Sequence, residues 1–213
     1  NQVVPSDLYE YSDNLRPQYS IEVNGVKVEG KLTADGYFTI DRKWKKGDVV
    51  RVHFDMEPRT VRANGKVEAD RGFVAIERGP VVYCAEWPDN DYDLMGALIN
   101  QEPKMVVEDG TLHAKDTKVA DYSIKVIKTD APILSFDKSG RLTTKDVRMT
   151  FIPYYAWCHR GSGKMRVWQA QDLNASRLSK PATLASLSKI TASTPATSLS
   201  SISDRLVPKD GDC

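Results

Sequence analysis

The chain has 213 residues, of which 40% are hydrophobic, and its 30 basic and 29 acidic residues give a formal net charge of +1. A balance this close to zero excludes the one-signed electrostatic field that binding to a nucleic-acid backbone or an anionic membrane requires. No apolar run approaches the roughly 18 residues of a membrane-spanning helix.

The hydrophobic content is sufficient for one large core or two small ones, so we expect two regions of about 80 to 100 residues. The first residue is Asn1 and not methionine, and the N-terminus lacks the basic and apolar segments of a signal peptide. We therefore expect the chain to be a piece of a longer polypeptide.

Residues 19–29 predict a β-hairpin. Apolar residues alternate with polar ones on both sides of Asn24-Gly25. Both central residues of a type I′ turn need positive φ, which Asn and Gly tolerate best. The chain should therefore reverse at this dipeptide and continue as a second strand.

Further short segments rich in β-branched and aromatic residues follow, each bounded by Gly, Pro, Asn or Asp. They are residues 37–40, 49–54, 73–76 and 81–83. Strands at this spacing, without a sustained helical periodicity, favour an all-β fold built from one or more antiparallel β-sandwiches, of jelly-roll or immunoglobulin-like type. We assign residues 1–88 to the first sandwich region.

The pattern loosens between residues 89 and 116, where residues 93–99 predict a single helical turn. Strands resume at residues 122–127, 133–136, 147–152 and 165–168, with a turn at 137–140. Residues 89–171 thus form either a second sandwich or the second layer of the same one.

The composition changes again in residues 172–213. Of the 28 residues from Ser176 to Ser203, 13 are Ser or Thr, and Pro181 and Pro195 interrupt any helix. This Ser/Thr-rich C-terminal tail is either a linker or the truncated start of a further domain.

The three cysteines, Cys84, Cys158 and Cys213, show neither a disulfide framework nor a metal-ligand pair. Cys84 lies in a predicted strand and is expected to be a small buried hydrophobe. Cys158 and His159 are adjacent, and neighbours on a strand point to opposite faces, which makes them poor catalytic partners. We therefore predict no catalytic residue and no metal ligand in this chain.

Aromatic residues supply the candidates for a binding site. Trp87, Tyr92, Tyr155 and Trp157 have rings on which a sugar can stack, and we name them as carbohydrate-contact candidates. The same rings also suit a sandwich core or a domain interface, and that alternative remains open. The acidic run at residues 89–93 is expected to be a solvated loop.

Several motifs carry a family resemblance. They are Val4-Pro5-Ser6-Asp7-Leu8-Tyr9, Gly36-Tyr37 with Trp44 and Gly47-Asp48, Glu68 to Gly72, Arg78 to Tyr83, Pro153 to Trp157, Arg160-Gly161, and Met165 to Trp168. In this order they resemble glycoside hydrolase family 127, the β-L-arabinofuranosidase-like enzymes, over roughly residues 1–170.

The resemblance implies a parent enzyme whose catalytic (α/α)6 barrel precedes two β-sandwich regions. In the family, the barrel holds the catalytic cysteine, the zinc ligands and the acid/base carboxylate, so the resemblance implies zinc for the barrel and no cofactor for this chain. It implies the barrel of the same polypeptide as a partner. A plant-type oligosaccharide and a second copy of the chain, bound through a sandwich, are further candidate partners. If the parent is a bacterial polysaccharide-degrading enzyme, we expect a periplasmic or secreted location.

We therefore expect a non-catalytic accessory β-sandwich region of a glycoside hydrolase. Such a region would support the barrel and contribute to the rim of its active site or to a dimer contact. The alternative is an autonomous carbohydrate-binding module, motivated by the aromatic cluster and by a weak discoidin-like pattern in the tail.

Overall fold

The computed structural model describes residues 7–15, 18–116, 118 and 120–176. The predictions for residues 177–213 of the tail, Cys213 included, lie outside the described residues. No helix in the described part of the chain is both long and apolar enough to cross a bilayer.

Strands dominate the described residues, and every pair of named strands is antiparallel. The strands are β1 (Tyr9–Tyr11), β2 (Tyr19–Val23), β3 (Val26–Lys27), β4 (Lys31–Leu32), β5 (Phe38–Thr39), β6 (Val50–Phe54), β7 (Pro58–Ala63), β8 (Phe73–Arg78), β9 (Val81–Glu86), β10 (Val106–Leu112), β11 (Tyr122–Phe136), β12 (Leu142–Pro153), β13 (Met165–Arg166) and β14 (Gln169–Ala170). Three short 3₁₀ helices cover Glu68–Asp70, Leu94–Gly96 and Tyr154–Ala156. The all-β antiparallel sandwich expected from the sequence is confirmed.

The largest sheet has nine strands. Its main path runs β1-β7-β8-β9-β12-β11-β10, and β13 and β14 pair with β9 and β8. This sheet crosses residue 88, because β9 pairs with β12 through Phe151↔Ala85 and Pro153↔Tyr83. The division of the chain into regions 1–88 and 89–171 stays a prediction.

Strands β8 and β9 separate after a short paired stretch. They pair from Ile76↔Tyr83 to Arg78↔Val81. Beyond that point Val74 pairs with Gln169 of β14, and Glu86 pairs with Met165 of β13. Of the strand predicted at residues 165–168, only Met165–Arg166 is a strand, because the chain bends at residues 167–168. The next short strand, β14, follows this bend, so that β13 and β14 occupy the gap between β8 and β9 with different partners.

Both faces of this sheet are buried. One face contributes Tyr83, Ile127 and Phe151 to the larger hydrophobic cluster, and the other contributes Cys84 and Ile152 to a second cluster. Because side chains alternate along a strand, consecutive residues of β9 serve different cores. The central strands are therefore apolar on both sides, as their sequences predict.

The Asn24-Gly25 hairpin is confirmed. Both residues have positive φ, 54° and 78°, and the turn joins β2 to β3. Strand β2 pairs with β6 on its other edge, giving a separate three-stranded sheet, and β4 and β5 form a two-stranded one. The turn at residues 137–140 is also present, with the Gly140 amide donating to the Asp137 carbonyl.

The structure replaces two predicted strands by one. Residues 122–127 and 133–136 belong to the single strand β11, which continues through Pro132. The reason is the long antiparallel pairing with β12, in which Ile127 to Phe136 face Phe151 to Leu142 without interruption. Pro132 is tolerated in this strand because the pairing of β11 with β10 ends at Lys128, so that no named strand requires an amide donor on that edge of β11.

The 3₁₀ helix Leu94–Gly96 confirms the helical turn predicted within residues 93–99 and packs tightly on β11. A Cβ atom at Gly96 would overlap the backbone carbonyl oxygen of Leu134. The next residue, Ala97, forms a bridge with Ile133. A side chain at position 96 would therefore force the loop away from the sheet.

We expect Gly96→Ala to lower the free energy of unfolding by about 1–3 kcal/mol, because overpacking against backbone cannot be relieved by a rotamer change. Urea denaturation of the purified chain measures this effect. Gly65→Ala is the matched control, since no atom lies within 4 Å of the added Cβ. Equal stability of the two variants would contradict the packing described here.

Candidate functional site

The candidate site is the aromatic loop, defined as residues 154–164 between β12 and β13. The strand β12 ends at Pro153, and the 3₁₀ helix Tyr154–Ala156 follows directly. Ala156 is fully buried in the second hydrophobic cluster, whereas Tyr154 and Tyr155 are exposed. One small residue thus anchors the loop and leaves both tyrosines on the outside.

This geometry corrects the assumption that Cys158 and His159 lie on a strand. They lie in a turn, and Cys158 has φ 70°, in the left-handed region that non-glycine residues seldom occupy. Its backbone amide donates to the Glu86 Oε1 atom at 3.1 Å. The hydrogen bond to a buried carboxylate offsets the unfavourable backbone conformation.

A partly buried ion cluster holds this turn in place. Arg160 donates to Glu86 Oε2 from Nη2 at 2.5 Å and from Nε at 3.2 Å. The same guanidinium forms two hydrogen bonds with Asp89, Nη1 to Oδ1 at 2.8 Å and Nη2 to Oδ2 at 2.6 Å. We call Glu86, Asp89 and Arg160 the carboxylate clamp.

Burial of the Glu86 carboxylate, which has a relative exposure of 1%, is unfavourable unless its charge is compensated. A carboxylate without water requires a charged partner and further hydrogen-bond donors, which Arg160 and the Cys158 amide supply. The hydrogen bonds to Asp89 raise the pKa of the Arg160 guanidinium above its ordinary value, although burial acts in the opposite direction. Arg160 is therefore held as a cation between two carboxylates.

Asn90 extends the clamp toward the sheet. Its Nδ2 donates to the backbone carbonyls of Glu86 at 2.8 Å and Thr150 at 3.0 Å. Its Oδ1 accepts from the Thr150 amide at 3.1 Å and from the Tyr92 hydroxyl at 2.7 Å. The segment that follows β9 is thereby fixed to β12, independently of the aromatic loop.

The four carbohydrate-contact candidates differ in accessibility. Trp87 and Tyr155 have relative exposures of 43% and 59%. Trp157 is half-buried against the second cluster and stacks on Tyr154, with ring centroids 5.8 Å apart. Tyr92 is half-buried against the larger cluster, and burial raises the pKa of its phenol. The sugar-binding role of all four stays a prediction.

Two of these aromatic residues, Trp87 and Trp157, are direct sequence neighbours of residues that the clamp holds. Trp87 follows Glu86, and its amide donates to the Lys164 carbonyl at 3.0 Å. Gly163 lies against the indole so closely that a Cβ there would overlap the ring. Trp157 precedes Cys158 and is therefore positioned by the same cluster. Trp87 and Trp157 are thus held by one set of charges.

His159 has a defined partner at the edge of the loop. Its Nδ1 lies 2.8 Å from the Tyr122 hydroxyl, and the two rings meet edge to face. Among the described residues, no three His, Cys, Asp or Glu side chains are grouped so that they could hold a metal ion. The described residues therefore do not fit a zinc ion.

Cys84 is a free thiol with no exposed surface. It therefore does not pair with Cys158. Burial, together with the nearby carboxylate of Glu86, raises the pKa of the Cys84 thiol to about 12. A thiol in this environment stays protonated and is a packing residue, as its place in an apolar strand predicts.

The carboxylate clamp was not predicted from the sequence. Arg160 appeared only in the Arg160-Gly161 motif of the family resemblance, and Asp89 as part of a solvated acidic loop. The available signal was Glu86, a carboxylate at the end of the apolar run Val81–Ala85, because a charge in such a run requires a partner. The identity of that partner, 74 residues further on, is set by the tertiary fold.

The fold and this loop define a β-sandwich region of a kind found in carbohydrate-active enzymes. The model of the glycoside hydrolase family 127 C-terminal domain matches residues 58–170, and the model of the β-L-arabinofuranosidase GH127 middle domain matches residues 14–56. The chain belongs to glycoside hydrolase family 127, as its motifs predict.

The similar proteins are much longer than this chain. The non-reducing end β-L-arabinofuranosidase of Bifidobacterium longum subsp. longum is 32% identical over 162 residues, 72% of this chain and 24% of the relative. A solved GH127 β-arabinofuranosidase is 55% identical with TM-score 0.72, covering 82% of this chain and 26% of that one. The GH127 β-L-arabinofuranosidase from Geobacillus stearothermophilus T6 is 32% identical with TM-score 0.59, covering 72% and 24%. The chain thus spans about a quarter of the length of the relatives it matches.

We expect Arg160→Met to lower the free energy of unfolding by about 3–5 kcal/mol, because it leaves the Glu86 carboxylate buried without its cation. Chemical denaturation of the purified chain gives the value. Arg148→Met is the matched control, since Arg148 pairs with the exposed Asp130 and an exposed pair contributes about 0–1 kcal/mol. A loss at position 160 no larger than at position 148 would mean that the clamp is not a stabilising element.

We expect Cys84 to resist iodoacetamide at pH 8 in the folded chain and to react after denaturation, because its thiol is buried and protonated. Mass spectrometry of the peptide that contains Cys84 detects the label. Rapid labelling of the native chain would contradict this assignment.

The raised pKa of Cys84 also makes stability depend on pH, because above pH 9 the folded state binds more protons than the unfolded state. The contribution of Cys84 to the free energy of unfolding is present below pH 9 and is lost as the pH rises toward about 12.

Proposed function

We propose that the chain is the non-catalytic β-sandwich region of a family 127 glycoside hydrolase. In this proposal it supports the catalytic (α/α)6 barrel of the same polypeptide. The parent enzyme would hydrolyse terminal β-L-arabinofuranosyl or related linkages with retention, and zinc would belong to the barrel. The chain itself contributes neither a catalytic group nor a cofactor.

One observation carries the proposal: the two matched models are the middle and C-terminal domains of the family, and in this order they account for residues 14–56 and 58–170. The B. longum relative, described as a β-L-arabinofuranosidase, is aligned over 24% of its length. About three quarters of that relative therefore lie outside the region shared with this chain. We assign the reaction to that remaining part.

The aromatic loop is the part of this region that we propose for the rim of the active site or for a dimer contact. A contact surface gains from rings that are held in place before the partner arrives, because less conformational entropy is then lost on binding. The carboxylate clamp supports such an arrangement for Trp87 and Trp157. The exposed ring of Tyr155 is the third candidate contact.

We expect the purified 213-residue chain to release no arabinose from p-nitrophenyl β-L-arabinofuranoside, whereas the longer parent polypeptide releases it. The comparison is made at equal molar concentration, with release of p-nitrophenol as the measurement. Activity of the 213-residue chain above the buffer blank would overturn the proposal.

A calorimetric titration of the chain with arabinose tests the alternative, and saturable binding in the absence of the barrel would favour an autonomous carbohydrate-binding module.

A further inference from the structure

A large apolar groove lies between the three-stranded sheet and the β4–β5 hairpin. Its volume is about 800 Å³, and its apolar walls include Ile21, Val52 and Phe54 from the sheet and Leu32 and Phe38 from the hairpin. Large exposed apolar patches on a folded protein mark surfaces that another element covers. Neither the aromatic loop nor the carboxylate clamp uses this groove.

The groove is one face of a two-sided sheet. The register pairs Tyr19 with Phe54, Ile21 with Val52 and Val23 with Val50, so these six apolar residues share one face. The other face carries the polar residues between them on both strands, Ser20, Glu22, Arg51 and His53. This alternation is typical of a sheet with one buried and one solvated face.

The face that the pattern marks for burial is covered on the β2 side, where Ile21 and Val23 are buried, but open along β6. All five residues of β6 are exposed, and the relative exposures of Val52 and Phe54 are 47% and 63%. Among the described strands, β6 pairs with β2 alone and ends its sheet. Alternate backbone amide and carbonyl groups of β6 therefore point outward, as on an edge that accepts another strand.

The part of the chain that forms this sheet is too short to build a complete core. The middle-domain model matches residues 14–56 of the chain, and units of about 40 residues seldom bury enough apolar surface to be stable alone. The neighbouring C-terminal unit, residues 58–170, contains the three hydrophobic clusters almost entirely. The open face thus belongs to the unit that lacks a core of its own.

One end of the groove is acidic. Asp55, Glu57 and Glu77 line it near the end of β6, together with Arg59. The Arg59 guanidinium is already engaged, since Nη2 donates to Asp13 Oδ1 at 2.7 Å and the group stacks on the Tyr11 ring at 3.6 Å. Asp55 accepts from the Gln18 amide and lies 3.6 Å from the His53 imidazole. Glu77 has a hydrogen bond with the Tyr11 hydroxyl. An occupant that brings a cation to this end would therefore balance chiefly Glu57.

We propose that an extended apolar segment of the parent polypeptide, outside the 213 residues, pairs with the free edge of β6 and fills the groove. Its apolar side chains pack between the β2–β6 face and the β4–β5 hairpin, and a lysine or arginine near one end faces Glu57. This inference rests on the proposed function, because it takes its occupant from the parent enzyme.

Hydrogen exchange read by mass spectrometry tests the proposal on the 213-residue chain and on the parent polypeptide. The amides of Val50–Phe54 should exchange at least about tenfold more slowly in the parent, because the new strand occupies their open edge. Interior strand β11 serves as the internal reference and should change little. Equal exchange of Val50–Phe54 in both proteins would overturn the proposal.

Two variants make the test specific to the groove. Val52→Lys places a charge inside it and should return Val50–Phe54 of the parent to fast exchange. Arg51→Lys puts the same side chain on the opposite face of β6, where the partner is Glu22, and should leave the protection unchanged. If Val52→Lys prevents the parent from folding, the comparison of the unmodified proteins decides. Protection in the 213-residue chain alone that falls on dilution would assign the groove to a second copy and would also overturn the proposal.

The two proposals fail in different ways. Release of arabinose by the 213-residue chain would overturn the proposed function whatever the exchange of β6. Equal exchange of β6 in an active parent enzyme would overturn the docked segment and leave the proposed function intact.

Discussion

Strand β9 ends in a carboxylate that water does not reach, and the arrangement of the loops around it depends on neutralising that charge. Glu86 is buried, so its folded position is tolerable only with Arg160 and the Cys158 amide in place. Both groups belong to the aromatic loop, some seventy residues away in sequence. One charge thereby joins the end of a central strand to a loop whose apolar anchors are Ala156 and Trp157.

The second structural constraint is the separation of β8 and β9. The short strands β13 and β14 satisfy the edges that this separation leaves open, and they also bring the end of the described chain back to its middle. The unit that closes in this way begins at Pro58 and ends at Ala170. These are the bounds of the matched C-terminal domain, residues 58–170, which therefore contains eight of the nine strands of the sheet. The ninth strand, β1, pairs with β7 from outside these bounds.

The sequence was informative where local and tertiary preferences agree. Asn24-Gly25 reverses the chain as its positive φ values require, and the apolar runs of β8 and β9 are strands. Strand β7 was not predicted, because it begins with Pro58 and buries Arg59, whose charge is matched by Asp13 only in the fold. Strand β10 was also missed, since a half-exposed edge strand containing Gly110 has no clear alternation. The clamp was missed for the same reason as β7. A charged residue can be predicted to be buried only when its partner is known, and in both cases the partner is distant in sequence.

The groove and the carboxylate clamp lie at opposite ends of β9. Gly79 and Pro80, just before the strand, line the groove, and Glu86, its last residue, lies in the clamp. Six residue steps of about 3.3 Å separate Pro80 from Glu86 by roughly 20 Å. Because Tyr83, Cys84 and Ala85 in the middle of β9 are buried and pair with neighbouring strands, β9 is a rigid connection. A segment docked in the groove would therefore fix the orientation of the β8–β9 turn, and through β9 the position from which the clamp presents the aromatic loop. In the proposed parent enzyme, β9 would therefore link two contacts. The docked segment attaches at one end of the strand, and the aromatic side chains are presented at the other.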